Sequence, residues 1–93
     1  MNKYSDIEIT ENLESVSGWK YDNGYLTKTF TFKNFNQAFG FMAGVALIAE
    51  KLNHHPDWSG GYKHVTINLM SHDADGITEK DFSFAIHVER LFQ

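Results

Sequence analysis

The sequence predicts an α+β fold in which helices pack on one face of an antiparallel sheet, in two layers. Two pairs of strand-like segments flank a long apolar helix, and a second amphipathic helix follows at the carboxyl end. Hairpins pair their strands antiparallel, and a helix between two hairpins has to cover one face of the sheet. With 93 residues and no linker or repeat, we expect one domain over residues 1–93.

The amino-terminal segment can be interpreted in two ways. Its "DIEIT" alternates like a short strand, whereas "TENLESVSG" has the pattern of a short helix. We favour the helix, with Thr10 as its N-cap and Gly18 as its carboxyl-terminal stop.

The segment "GWKYDNGYLTKTFTF" predicts a β-hairpin whose turn is Asp22-Asn23-Gly24. After the turn, apolar side chains alternate with threonines, so one face of the strand is expected to be buried. Lys28 falls on the apolar face, and we expect it near a sheet edge, where its amine can reach water. The apolar positions are Leu26, Phe30 and Phe32, and the threonines are Thr27, Thr29 and Thr31.

The segment "NFNQAFGFMAGVALIAEKLNHH" predicts the main helix, capped by Asn34 or Asn36 and ended by Pro56. Spacing of three and four residues predicts a core stripe. Three further apolar residues lie outside that stripe, which favours a self-association face over a scatter of surface apolar side chains. The stripe comprises Phe35, Ala38, Phe39, Met42, Val45, Ala46, Ala49 and Leu52, and the residues outside it are Phe41, Leu47 and Ile48.

The remaining segments predict two strands and a final helix. "PDWSGG" is expected to supply a short strand, with Trp58 in the core, and "YKHVTINLMSH" a longer one that buries Val65, Ile67 and Leu69. In "ITEKDFSFAIHVERLF", Thr78 is the predicted N-cap and Asp81 completes a capping-box arrangement.

Composition restricts the classes of function. The net charge is −4, with eight basic and twelve acidic residues and no basic stripe, so we expect no direct nucleic-acid binding. The absence of cysteine excludes disulfides and thiolate chemistry. The start has no secretory signal pattern and no apolar run is long enough to span a bilayer, so the sequence predicts a cytoplasmic protein without membrane contact.

Histidines carry the candidate chemistry. His54 and His55 lie one turn after Glu50, which is placed to orient His54, and His72 stands at a predicted strand end. A metal site needs three converging ligands, and neighbouring histidines on a helix diverge by about 100°. No nucleophile-elbow or phosphate-loop pattern is present. Acid–base catalysis without a metal therefore remains, and we assign no role to His64 or His87.

These residues form a longer pattern that resembles a known family. The family is the pterin-4a-carbinolamine dehydratases. Its typical pattern begins with an acidic residue, three further residues and His-His-Pro, and continues with a later aromatic residue, a histidine nine residues after it and then an aspartate. The resemblance covers about residues 18 to 92, and Ser71 stands where the family usually has threonine. The matching positions are Glu50, His54, His55, Pro56, Tyr62, His72 and Asp81.

The resemblance implies a four-stranded antiparallel sheet with helices on one side, and assembly as a homodimer or homotetramer. It implies removal of water from 4a-hydroxytetrahydropterin to give quinonoid dihydropterin, without metal or cofactor, in tetrahydropterin recycling. His54, His55 and His72 would be the catalytic set, with the acid and base unassigned. The implied substrate-binding residues are Glu50, Asn53, Ser71 and Asp73.

Two other functions stay open. Some members of the family act as dimerisation partners of transcription regulators, which the apolar helix of this chain would suit. A dehydratase-like role in molybdopterin metabolism is the other.

Overall fold

The structure, a computed structural model, describes residues 2–93, which form three helices and four strands. In chain order these are α1 (Asp6–Leu13), β1 (Lys20–Asp22), β2 (Tyr25–Thr31), α2 (Phe35–Leu52), β3 (Asp57–Gly60), β4 (His64–Leu69) and α3 (Glu79–Phe92).

The strands form one antiparallel sheet in the order β1-β2-β4-β3. Leu26 on β2 pairs with Leu69 on β4, and Trp58 on β3 pairs with Ile67. The apolar side chains Leu26, Phe30, Val65, Ile67 and Leu69 of β2 and β4 are buried beneath the helices, and the threonines of β2 lie on the opposite, more exposed face of the sheet. The predicted α+β architecture, including the short strand from "PDWSGG", is confirmed.

The first hairpin closes through a two-residue turn. Asn23 and Gly24 have φ values of 53° and 86°, the two positive angles that a type I′ turn requires. Asparagine and glycine tolerate this region better than other residues, which is why the sequence signal was reliable here.

The prediction for α1 was wrong in its start and its end. Ser5, not Thr10, is the N-cap, and it forms a capping box with Glu8. Thr10 lies inside the helix, where its hydroxyl donates to the Asp6 carbonyl. The helix ends at Leu13, well before Gly18. The β-branched residues of "DIEIT" suggested a strand, but the capping box and the burial of Ile9 outweigh their weak preference.

The buried face of α2 is rotated from the predicted stripe. Phe41 is buried with Ala38, Val45 and Ala49, whereas the stripe had placed it outside. Three apolar side chains of the helix are largely exposed, namely Phe35, Phe39 and Leu47. The helix is apolar nearly all round, so spacing alone could not select the face that packs on the sheet.

The carboxyl end of α2 is made by Asn53, and Pro56 follows three residues later. Asn53 has a left-handed φ of 51°. The Asn53 amide donates to the Glu50 carbonyl and the His54 amide to the Ala49 carbonyl. These two bonds are a Schellman motif, which turns the chain out of the helix. His54 and His55 therefore follow the helix and do not continue it.

Two further expectations about burial were wrong. Trp58 lies on the edge strand β3 and is exposed, not in the core. Lys28 lies on the interior strand β2, not near an edge. Its ammonium donates to Glu89 Oε2 at 2.8 Å and to the Ser17 carbonyl at 2.9 Å. The Trp19 indole N–H donates to the same Glu89 oxygen. A partner from α3 thus replaces the water that an edge would supply.

The amino end of α3 matches its prediction. Thr78 is the N-cap and Asp81 returns its side chain to the Thr78 amide, which completes the capping box. Asn34, one of the two candidates, caps α2. Among residues 2–93, no helix has the length and apolarity needed to cross a bilayer.

The contact between α2 and α3 can be tested with two glycines of α2. A Cβ at Gly44 would lie 2.6 Å from Leu91 Cδ2, whereas a Cβ at Gly40 would have no neighbour within 4 Å. We expect Gly40→Ala to raise the free energy of unfolding by about 0.5–1 kcal/mol through helix propensity. Gly44→Ala should raise the free energy of unfolding by less, because the Leu91 side chain has to move to make room for the new methyl group. Chemical denaturation measures both, and equal gains would contradict this packing.

Candidate active site

A cavity of about 350 Å³ opens where the end of α2 meets the segment that follows β4. Five of the predicted site residues line it, together with two residues that were not predicted. The five are Asn53, His54, His55, His72 and Asp73, and the two are Met70 and Lys80. A volume of this size is sufficient for a small heterocyclic ligand.

His54 is held by a buried carboxylate. Its Nε2 lies 2.6 Å from Asp81 Oδ1, and the side chains are 11% and 0% exposed. The imidazole also meets the Phe84 ring edge to face, with centroids 6.1 Å apart. Since an ionised carboxylate only accepts, Nε2 carries the proton of this bond. No residue between 2 and 93 is hydrogen-bonded to Nδ1 of His54.

The other oxygen of Asp81 is also fully engaged. Asp81 Oδ2 accepts from the Ser71 hydroxyl and from the Thr78 amide, each at 2.9 Å. The Ser71 and Thr78 hydroxyls are 2.8 Å apart, and all three residues are 0% exposed. A buried carboxylate is stable only when its oxygens are satisfied in this way. Asp81 therefore fixes His54 to the start of α3 and to the end of β4.

His55 pairs with Glu50, which corrects the expectation that Glu50 orients His54. Nε2 of His55 lies 2.9 Å from Glu50 Oε1, and the side chains are 60% and 78% exposed. The Schellman turn at Asn53 causes the difference, because it removes His54 from the helical face that Glu50 occupies. The contact is solvent-screened and contributes little to stability.

His72 lies near a third carboxylate. Its Nε2 is 3.7 Å from Asp57 Oδ2, with the side chains 68% and 58% exposed. The Tyr25 hydroxyl donates to the same Asp57 oxygen at 3.0 Å. That hydrogen bond, with the charge of Asp57 and a small effect of burial, raises the pKa of Tyr25 above 10.0. All three histidines thus have a carboxylate of their own.

Several predicted residues lie behind the cavity or away from it. Ser71 is buried beneath His54, and its amide donates to the Gly76 carbonyl. Tyr62 is exposed in the loop between β3 and β4. His64 contacts Thr31 on the open sheet, and His87 donates from Nδ1 to the Ser83 carbonyl. Neither His64 nor His87 lines the cavity.

Lys80 and Met70 line the cavity, although neither was predicted as a site residue. Lys80 lies in the first turn of α3, where a cation opposes the helix dipole, and that unfavourable placement was the available signal. Met70 precedes the buried Ser71 and shares the parity of His72, so an extended strand pattern would have placed the two together.

A groove of about 520 Å³ between the start of α2 and the end of α3 is larger but lacks this chemistry. Its wall combines apolar and polar side chains, and Lys33 is the only ionisable residue among those that line it. Among residues 2–93, no three histidine, aspartate or glutamate side chains are grouped to share a metal ion. The cavity with three imidazoles is therefore the candidate active site.

Comparison with known proteins identifies the family. The family model described as "Pterin 4 alpha carbinolamine dehydratase" matches residues 2–91. A relative from Afipia carboxidovorans is 53% identical over 83 residues, which covers 87% of this chain and 83% of the relative. One from Christiangramia forsetii is 41% identical over 93 residues, covering 100% and 96%. Both are named "Putative pterin-4-alpha-carbinolamine dehydratase".

Two solved structures have the same fold. A transcriptional coactivator/pterin dehydratase from Brucella melitensis superposes with a TM-score of 0.93 at 39% identity, covering 97% of this chain and 98% of that one. A pterin dehydratase-like protein, described as a RuBisCO assembly factor in the alpha-carboxysome, gives 0.66 at 26% identity, covering 78% and 84%. The family match and the close relatives together show that the chain belongs to the pterin-4-alpha-carbinolamine dehydratase family.

Proposed function

We propose that the chain removes water from 4a-hydroxytetrahydropterin and so forms quinonoid dihydropterin. The observation that carries this proposal is the convergence of His54, His55 and His72 on one cavity. Family membership supports the same reaction and the same substrate class.

The reaction requires two proton transfers, which imidazoles supply near neutral pH. One imidazole in its protonated form gives a proton to the C4a hydroxyl, and the C–O bond breaks to release water. A second, neutral imidazole takes a proton from the ring nitrogen system as the new double bond forms. Exchange with solvent then returns both rings to their starting states. Each transfer is worth roughly 10²–10⁴-fold in rate.

The Asp81 bond suits His54 to the acceptor role. With its Nε2 proton directed at Asp81, neutral His54 keeps an unprotonated Nδ1 available to the substrate. His55 and His72 are exposed, so either can exchange protons with water and act as the acid. Asn53, His72 and Asp73 line the cavity, and the main chain around Asn53 and from residue 71 to 73 is the proposed contact for the polar edge of the pterin.

Partner binding is a second candidate function, supported by the exposed apolar residues of α2, which are Phe35, Phe39 and Leu47. The relatives described as a transcriptional coactivator and as a RuBisCO assembly factor have this fold. Such a surface also suits assembly of the chain as a homodimer or homotetramer.

The histidines provide the direct test of the enzyme. We expect His54→Ala, His55→Ala and His72→Ala each to lower kcat by roughly 10²–10⁴-fold, since each removes one proton-transfer group. His64→Ala is the control, because His64 lies outside the cavity. The measurement follows the decay of the carbinolamine absorbance. A wild-type rate no higher than those of the three variants would exclude the proposed reaction.

The two carboxylates that contact His54 and His55 should differ in importance. Asp81→Asn keeps the shape of the side chain but can place an amide N–H against Nε2 of His54. That contact favours the tautomer with its proton on Nδ1, so we expect kcat to fall by more than about tenfold. Glu50→Gln alters an exposed contact and should cost less than about fivefold. Steady-state kinetics compare the two variants. A larger loss from Glu50→Gln would contradict the buried network as the support of His54.

The exposed face of α2 can be tested with a matched pair. Leu47 and Ile7 are each 72% exposed, but Ile7 lies on α1. If α2 mediates self-association, light scattering should give a mass above the monomer that Leu47→Glu lowers and Ile7→Glu does not. A monomeric wild type, or equal effects of the two substitutions, would contradict a self-association surface on α2.

A further inference from the structure

Three side chains form a line across the open face of the sheet beside the cavity. Tyr25 lies on β2 and Asp57 on β3, and these strands flank β4. The hydrogen bond from Tyr25 to Asp57 therefore spans β4 close to its end. His72 follows that end, and its Nε2 approaches the same Asp57 oxygen that Tyr25 contacts.

We infer that Asp57 is a positioning residue for His72, and that the Tyr25 hydroxyl holds Asp57 in place for this purpose. The inference rests on the proposed function, because it assigns these two residues a part in the same reaction. Neither side chain lines the cavity, so both act through His72.

The position of His72 requires such support. Its side chain follows the end of β4 and is 68% exposed. Among residues 2–93 the ring makes no hydrogen bond, and it approaches Asp57 Oδ2 at 3.7 Å. That distance is too long for a hydrogen bond. Contacts of this kind are often long without substrate and shorten when the substrate excludes water. A ring misplaced by about 1 Å can cost roughly 10²-fold in rate, so a fixed partner has a kinetic effect.

Asp57 is held in place through both its backbone and its side chain. Its backbone pairs with Asn68 on β4, and its carboxylate is held from the far side by Tyr25. Both side chains lie on the open face of the sheet. Asn68 of β4 pairs with Asp57 on one side and with Thr27 on the other, and Tyr25, two residues before Thr27, faces the same way. The hydrogen bond to Asp57 and the charge of Asp57 raise the pKa of Tyr25. An exposed bond of this type adds little to folding, so substitutions at Tyr25 and Asp57 should leave the fold intact.

Kinetics with a double-mutant cycle provide the first test. We expect Asp57→Asn to lower kcat about tenfold and Tyr25→Phe about threefold, with KM nearly unchanged, because a poorly placed ring weakens the chemical step more than binding. Tyr25→Phe should add nothing in the Asp57→Asn background, and Asp57→Asn nothing in the His72→Ala background. Tyr21→Phe, another tyrosine of the first hairpin, is the matched control.

Two spectroscopic measurements test the contact without relying on turnover. The ring-nitrogen chemical shifts of His72 should change in Asp57→Asn, while those of the other four histidines stay constant. The phenol of Tyr25, identified from the absorbance difference between wild type and Tyr25→Phe, should ionise above pH 10.0 in the wild type. In Asp57→Asn the pH at which this phenol ionises should return toward about 10, because the negative charge that accepts its hydrogen bond is gone.

The outcomes separate the two proposals. An active wild type with unchanged kcat in Asp57→Asn would overturn the positioning role and leave the dehydratase function intact. Unchanged His72 shifts in Asp57→Asn would also overturn it, whatever the activity. An inactive wild type would overturn the dehydratase function, and with it the role of Asp57 in that reaction.

Discussion

The buried carboxylate of Asp81 is the interaction on which both the fold and the site depend. It completes the capping box of α3, accepts a hydrogen bond from the Ser71 hydroxyl just after β4 and accepts another from Nε2–H of His54. Removing a carboxylate from water is costly, and the cost is offset only when the donors are in place. The three segments that supply donors therefore have to meet, and their meeting places one imidazole at the cavity. Folding and positioning of His54 are consequences of the same bonds.

The left-handed residue at the end of α2 determines how the histidine pair is divided. Had the helix continued through residue 54, His54 would have stayed on the face of Glu50. The Schellman turn at Asn53 instead directs His54 toward the interior and leaves His55 near Glu50 in solvent. Two adjacent residues of one type thus occupy environments of different polarity.

Structural features that depend on a few neighbouring residues could be predicted from the sequence, and features that depend on tertiary contacts could not. The hairpin turn at Asn23-Gly24, the cap at Thr78 and the alternation of β4 are encoded within a few residues, and the structure agrees with them. The order of the elements, and so the α+β fold, follows from these signals. The pairing of Glu50 with His55, the burial of Phe41 and the exposure of Trp58 depend on tertiary contacts. A helix apolar on all sides gives no periodic signal for its buried face, and helical spacing misleads once the helix has ended. Asp81 was identified as a cap and as part of the family pattern, but its bond to His54 joins residues 27 apart and has no local signature.

The three imidazole–carboxylate contacts differ in their exposure to solvent. The His54–Asp81 pair is nearly closed to solvent, whereas the pairs of His55 and His72 have side chains 58% to 78% exposed. Exposed ion pairs are weak in water and strengthen when a ligand displaces it. In the proposed reaction, the buried pair would hold His54 in place independently of substrate, whereas a pterin in the cavity would exclude water from the pairs of His55 and His72 and strengthen them. The proposed arrangement would then order these two imidazoles at the step that uses their proton transfers.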